Sequence, residues 1–335
     1  MKIAYLPPYV FYSPEFQHYP YFERVAAQYG CETKMTLTAD EINEYDPDFV
    51  FVFGEYHAKL TPHPHYGLLQ SPEYNFFKEG EMTEFARNGV YEWDGYLTTA
   101  KATEIWIEKM LQLRDGDRAP RVGKFFVAGD RREYQQEYTP RRLVYAGGCW
   151  DNRGIVLCKR LGELLGEEFE IYGNPDNWTK HNLPNYKGFV NTIDGLLEIY
   201  RDSVVLSISN PRYFAADIIT TRMHESSSVG TNCITPWSPE TMMAYGSSLY
   251  YYNGEDTELN QAEMIAKTYL SVKQDPGRDA RRQQAHSIFN NEHSLTMQFP
   301  RLLRYHEYMK LHMAINPREW KLNERYNELQ MEAKR

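Results

Sequence analysis

The sequence predicts an α/β protein built from two doubly wound domains, each a parallel sheet covered by helices. Three observations predict it. Apolar runs such as Phe49-Val50-Phe51-Val52-Phe53 and Val204-Val205-Leu206-Ser207-Ile208 lack the polar alternation of half-exposed strands, as strands covered on both faces do. These runs give way to Gly-, Pro- or Asn-containing turns and then to helical patterns, so strand and helix alternate along the chain. At 335 residues the chain exceeds one typical core and suits two.

In chain order, Ile3-Ala4-Tyr5-Leu6 reads as a first buried strand closed by Pro7-Pro8, and residues 15–30 as a helix ending at Gly30. The Phe49–Phe53 run follows, with Gly54-Glu55-Tyr56-His57 at its carboxyl end. Residues 66–70 read as a strand, the Phe- and Glu-rich stretch after Pro72 as helical, residues 94–99 as a strand, 100–114 as a helix and 124–127 as a short strand. The polar segment 129–141 reads as an interdomain link. Arg142–Ala146 restarts the pattern, followed by Gly147-Gly148, a helix over 153–166, a strand at 169–172 closed by Gly173, a short element at 186–190 and a helix at 194–202. The expected organisation is a first domain over 1–140, a second over 141–295, and helices in 296–335 that pack back on the first.

Composition bounds the function. With 42% hydrophobic and 25% charged residues the chain has the balance of a soluble globular protein. No apolar run approaches the roughly 20 residues of a membrane span, and the start has no signal-peptide layout, so a cytoplasmic location is expected. Cys31, Cys149, Cys158 and Cys233 form no CxxC pair, which argues for buried free thiols over a zinc site or disulfide framework. Residues 1–118 hold 10 Lys+Arg against 19 Asp+Glu, whereas the remaining 217 residues hold 27 of each. An acidic first half disfavours a large polyanionic partner there.

The stretch over residues 204–236 organises the rest. A buried strand breaks at Asn210-Pro211, Asp217 follows, and a segment of small residues carries Arg222, His224 and Glu225 before Gly230 and the next strand. Open α/β sheets bind ligands at the carboxyl ends of their strands. Charged residues are rarely buried without partners, so an Asp, an Arg and a Glu at that junction point to a polar ligand.

The motifs LVYAGGCWDNRG (143–154), EIYG (170–173), YKGFV (186–190) and TTRMHESSSVGTNCIT (220–235), in this order and spacing, resemble the carboxyl-terminal domain of GT-B glycosyltransferases, in the group-1 and spore-maturation CgeB-like branch. The resemblance covers about residues 142–240. It implies two Rossmann-like domains facing across a cleft, with a nucleotide sugar held mainly by the second and the acceptor by the first. It implies a retaining transfer, since such enzymes carry two acids separated by seven positions, as Asp217 and Glu225 are here. Glu225 would then hold the donor ribose and Asp217 would face the transferred sugar. The chain departs from the family in having Asp where Glu is usual at the first position, and in lacking the Glu-Pro-Phe-Gly around it. The resemblance implies no metal and no cofactor beyond the nucleotide-sugar co-substrate, with a UDP-sugar as the expected donor.

Transfer needs the leaving phosphate stabilised, the donor positioned and an acceptor hydroxyl deprotonated. Gly147 and Gly148 open a helix whose start offers backbone N–H groups to phosphate, and Arg153 just beyond can fork onto phosphate oxygens. The alternative is a tight turn with a surface Arg. Arg222 shares a helix face with Glu225, either as an i,i+3 surface pair or as a phosphate-facing cation beside a ribose-binding acid. Tyr172 and Gly173 close a strand at the ligand-facing edge, with packing the more ordinary role for Tyr172. In the first domain Glu55, His57 and Glu73 are candidate general bases, against the ordinary reading of surface residues. His63 and His65, two apart and without a third ligand, make thin metal evidence.

The expected activity is transfer of a sugar from a nucleotide sugar to an acceptor hydroxyl on a glycan, small molecule, protein or modified phage DNA base. Nucleic acid enters only in that last form. A two-domain protein that binds nucleotide or nucleotide sugar without chemistry is the alternative, motivated by the departure at Asp217. A sugar epimerase is a weaker third.

Overall fold

The computed structural model describes residues 1–8, 14–55, 57–115, 122–127, 129–149, 152 and 154–315. The chain divides into two compact units, Met1–Val127 with Leu295–Arg335, and Ala128–Ser294.

The first unit contains β1 (Lys2–Leu6), α1 (Pro14–Gln17), α2 (Tyr19–Gln28), β2 (Glu32–Met35), α3 (Ala39–Tyr45), β3 (Phe49–Phe53), β4 (His65–Leu68), a hairpin of β5 (Phe77–Lys78) and β6 (Glu81–Met82), α4 (Glu84–Asn88), β7 (Gly95–Leu97), α5 (Lys101–Asp115) and β8 (Val122–Gly123). Six strands form a parallel sheet in the order β2-β1-β3-β4-β7-β8. β3 shows why its sequence lacks polar alternation. Phe51 packs on Phe22 of α2, with ring centroids 5.1 Å apart, while Val50 and Val52 join Trp93, Trp106 and Ile42 in the core of the other face. Both faces are dry, so both sets of side chains are apolar.

Two expectations fail here. The Phe- and Glu-rich stretch after Pro72 is a 3₁₀ turn, a hairpin and a short helix, because Glu79 and Gly80 both take positive φ (53° and 85°), the conformation of a tight hairpin turn. Residues 124–127 are not a strand, although Phe125 and Val127 are buried. The sheet instead ends at Val122–Gly123.

The second unit contains β9 (Arg142–Ala146), α6 (Ile155–Leu165), β10 (Phe169–Tyr172), α7 (Pro175–Trp178), β11 (Tyr186–Gly188), α8 (Ile193–Tyr200), β12 (Ser203–Leu206), α9 (Pro211–Ala215), α10 (Thr221–Val229), β13 (Cys233–Pro236), α11 (Pro239–Tyr245), β14 (Tyr250–Tyr252), α12 (Glu258–Gln274) and α13 (Arg278–Ile288). Its sheet is again parallel, in the order β11-β10-β9-β12-β13-β14. Counted within the unit this is 3-2-1-4-5-6, the Rossmann order, whose direction reverses between β9 and β12. The crevice beyond the carboxyl ends of those two strands is therefore the place for a ligand.

Residues 129–141 are bound into the second unit by Arg282 of α13, 2% exposed. Its guanidinium donates to the Gln135, Gln136 and Gly230 carbonyls at 2.6, 2.7 and 3.0 Å and lies over the rings of Tyr134 and Tyr138. The basic cluster over residues 278–282 thus spends its last cation on the backbone.

The last helix, α14 (Leu295–Ile315), lies against the first unit's sheet. The Tyr305 hydroxyl accepts from Tyr96 N at 2.9 Å, and Tyr66 Oη and His306 Nδ1 are 3.0 Å apart. Residues 316–335 lie outside the described residues. All four cysteines are buried free thiols. No helix among the described residues is long and apolar enough to cross a membrane.

Candidate active site

The site is built at the β9/β12 reversal. β9 ends on Ala146 and runs into Gly147, whose N–H donates to Tyr172 O at 2.9 Å and whose carbonyl accepts from Trp178 Nε1 at 2.7 Å. A Cβ on Gly147 would overlap the Arg222 guanidinium, and one on Gly173 would overlap the Gly147 carbonyl and the Trp178 indole. Both glycines are required by close approach. Tyr172 itself packs at the edge, its hydroxyl donating to Glu170 Oε2 at 2.8 Å. Burial, then that hydrogen bond, pushes the phenol up to about 12.

β12 leads through α9 to α10, the helix that carries the charges. Thr220 stands at its N-cap in extended geometry, but its side chain caps no amide. It is 2.7 Å from Ser207 Oγ instead, which ties the helix start to the carboxyl end of β12. The first turn of α10 is therefore left without a side-chain cap, and such a turn attracts anions. Residues 223–229 are all buried. Small residues permit this, with Ser226 and Ser228 hydroxyls donating back to the Met223 and Glu225 carbonyls.

Arg222 and Glu225 do not pair. Arg222 Nε donates to Ala146 O, and its guanidinium lies over the Tyr145 ring, 5.0 Å from the centroid. Burial alone would lower its pKa, but Tyr145, Tyr200 and Glu225 together outweigh it and hold the cation charged. Glu225 is 7% exposed. Burial raises its carboxyl pKa, while Arg222, Thr221 and Tyr200 pull the other way. The Tyr200 hydroxyl, at the end of α8, is near enough to act on that carboxyl, yet it is buried with no well-formed hydrogen bond. A buried acid, a cation and a phenol buried without a well-formed partner are thereby gathered at one place.

Asp217 sits on the α9–α10 loop at positive φ (53°), a conformation uncommon for a non-glycine residue. Its Oδ2 accepts from Glu240 N at 3.0 Å and so holds the start of α11. Oδ1 is buried without a partner. Half of this carboxylate is structural and half is uncommitted.

The start of α6, where a phosphate is expected beside Gly147 and Gly148, already receives an acid. That helix start is closed by Glu258, whose carboxylate accepts from Gly154 N at 3.1 Å and Leu157 N at 3.0 Å. An acid occupies the position to which an anion would go, and the uncapped start of α10 remains. Gly148 lies on the same turn, its carbonyl accepting from Tyr145 Oη at 3.1 Å. Arg153 lies outside the described residues.

In the first unit the general-base candidates are engaged elsewhere. His57 is 2% exposed, with Nε2 only 2.7 Å from Pro7 O. A carbonyl can only accept, so Nε2 carries the proton and ties the ends of β1 and β3 together. His57 is thereby a buried link between those strand ends. Glu55 accepts from Ser71 Oγ at 2.5 Å, and Glu73 forms an exposed ion pair with Lys109 at 2.9 Å. His65 is fully buried, receives Leu60 N at 3.2 Å, and is depressed to about 3 by burial. Among the described residues no cluster of three or more His, Cys, Asp or Glu could hold a metal.

Sequence reasoning missed Tyr200, Trp178 and Glu258. Each reaches the site from a distant element, and no local motif marks them.

No protein-family model matches the chain, and no curated protein matches its sequence. Solved structures do match. An α-glucosyltransferase in complex with UDP-glucose and DNA containing an abasic site superposes with a TM-score of 0.65 at 10% identity, over 91% of this chain and 99% of that one. The fold is GT-B. A glycosyltransferase from Rickettsia africae ESF-5 matches at 0.58 and 9% identity, over 92% and 98%. A mutant of S. aureus TarM, in complex with fondaparinux, α-GlcNAc-glycerol and UDP, matches at 0.55 and 13% identity over 80% of this chain. This chain spans only 58% of that TarM chain. Within the GT-B fold the second unit supplies the Rossmann-ordered sheet, and the polar constellation just described lies at its reversal point.

Proposed function

We propose that this chain is a glycosyltransferase that moves a sugar from a nucleotide-sugar donor to an acceptor hydroxyl, with the donor on the second unit. The observation that carries this reading is Glu225. It is a buried carboxyl of raised pKa, three residues beyond Arg222 on a helix whose first turn no side chain caps. Ribose hydroxyls would donate to Glu225 and to the lone pairs of Tyr200. The phosphates would lie at the start of α10, against Arg222 and the turn at Gly147. That assembly stabilises charge developing on the leaving phosphate.

A UDP-sugar is the proposed donor, since the α-glucosyltransferase of similar fold is described with UDP-glucose. The motif order supports the group-1, CgeB-like branch, and the Asp217–Glu225 spacing supports retention. The acceptor is a hydroxyl on a glycan, small molecule, protein or modified DNA base. The acidic first 118 residues weigh against DNA.

The second reading, a binding protein without chemistry, draws on two observations. Asp217 Oδ2 is committed to α11, as His57 is to Pro7. Incubation with a panel of nucleotide sugars separates the two. A transferase releases nucleoside diphosphate from one donor above background, and Glu225→Ala abolishes the release. Tight nucleotide binding with no turnover under any acceptor would favour the silent protein.

A further inference from the structure

A pocket lies at the carboxyl edge of the second sheet, bounded by Ile208 and Ser209 after β12, Phe214 of α9, Gly254 after β14, and Glu258 and Gln261 of α12. Phe214 belongs to the segment that leads directly into Asp217, so the pocket adjoins the loop assigned to the transferred sugar.

Apart from the Ser209 hydroxyl, which donates as well as accepts, the uncommitted side-chain polar atoms of Glu258 and Gln261 in this pocket are acceptors. Glu258 is held by two backbone N–H groups of α6, which fixes the carboxylate and neutralises the positive end of that helix. A carboxylate accepts about four hydrogen bonds, so Glu258, a lining residue of the pocket, keeps acceptor capacity beyond those two. Gln261 spends its Nε2 on the Gly254 and Asp256 carbonyls, at 3.1 and 2.7 Å, and this leaves Oε1, another acceptor. No Lys or Arg is among the described lining residues. Apolar Ile208 and Phe214 supply surfaces for C–H groups. Acceptors beside apolar walls suit a sugar's hydroxyls and ring carbons, and repel a carboxylate.

We propose that this pocket receives the hydroxyl-bearing edge of an uncharged donor sugar, and that Glu258 excludes sugars carrying a carboxylate. The inference rests on the donor-site reading above and adds the class of sugar.

The test is calorimetric titration of the full chain and of Glu258→Gln with UDP, UDP-glucose and UDP-glucuronate. The wild type is expected to bind UDP-glucose about tenfold or more tightly than UDP-glucuronate, since like charges brought together are disfavoured. Glu258→Gln is expected to bring the two within about threefold while keeping the affinity for UDP alone. An unchanged ratio with UDP affinity intact, or a wild type indifferent to the two donors, overturns the proposal. If the variant alone loses UDP, the amide has unsettled the start of α6, and Ser209→Lys takes its place. That change leaves Glu258 in position and adds a cation to the pocket, so the preference must move toward the glucuronate. An unmoved preference overturns the proposal. If no UDP species binds the wild type, the donor-site reading itself fails, and the pocket assignment with it.

Discussion

Gly147 and Arg222 share one space: the guanidinium lies where any side chain on Gly147 would begin. The turn after β9 and the start of α10 are thereby locked together, although 74 residues separate Gly147 from Arg222 in the chain. A cation is presented at the sheet's reversal point without the loose stem of a surface arginine. Gly147→Ala is expected to displace Arg222 and to cost about 1–3 kcal/mol through overpacking. Nucleotide affinity should fall at least tenfold, which titration of the purified variant measures.

Glu225 joins stability to binding. Its pKa is raised in the fold from 4.5, so the folded state holds this proton more tightly than the unfolded chain does. The sign follows: the ionised carboxyl destabilises the fold above the raised value, and that cost disappears as pH falls through it toward 4.5. Glu225→Gln is expected to melt higher at pH 7, by on the order of 1 kcal/mol, and to lose nucleotide binding. Paired melts with and without nucleotide check both. A variant that melts higher and still binds would remove Glu225 from the site.

Buried histidines set the acid limit of the whole chain. Burial depresses His18 to about 4, and His65 and His224 are lowered by the same cause. Each stays neutral in the fold while the unfolded chain gains a proton near pH 6.5. Stability is therefore lost as pH falls below about 6.5, and for His18 the loss reaches about 3 kcal/mol once the pH is below about 4. Denaturant melts at about pH 7.5, 6 and 5 should show a falling midpoint. His18→Phe should flatten part of that slope.

Arg282 is expected to matter more to folding than its place in a basic run implies. Removing it leaves the Gln135, Gln136 and Gly230 carbonyls short of donors. Arg282→Met should cost about 3 kcal/mol or more, read as a lowered denaturation midpoint. The first cleavage by a dilute protease should then fall within residues 129–141.

Much of the fold was legible because parallel strands advertise themselves. Phe49–Phe53 and Val204-Val205-Leu206 are apolar on both faces, and only doubly covered strands require that. The charges of α10 were legible for a related reason: Arg222 and Glu225 stand among Ser, Thr and Met, where an exposed helix would carry Lys and Glu. The tight turn at Glu79-Gly80 was misread because Phe and Glu around it suit a helix locally, and positive φ at Glu79 is not written in its side chain. Glu258 was invisible for a different reason. A carboxylate 104 residues from Gly154 closes a helix start that, read alone, looked open to phosphate. Local motifs mark where a ligand fits, but the tertiary contacts that reach a helix start are not written in them.

The donor site on the second unit is the central claim, and titration of UDP into the wild type and Glu225→Gln tests it most directly. Saturable binding by the wild type, weakened at least tenfold in the variant, is the predicted result. At about 100 times its dissociation constant the nucleotide should also add roughly 2.7 kcal/mol to stability. Equal binding of UDP by both proteins would contradict the account, because the buried acid of α10 would then have no part in holding the donor.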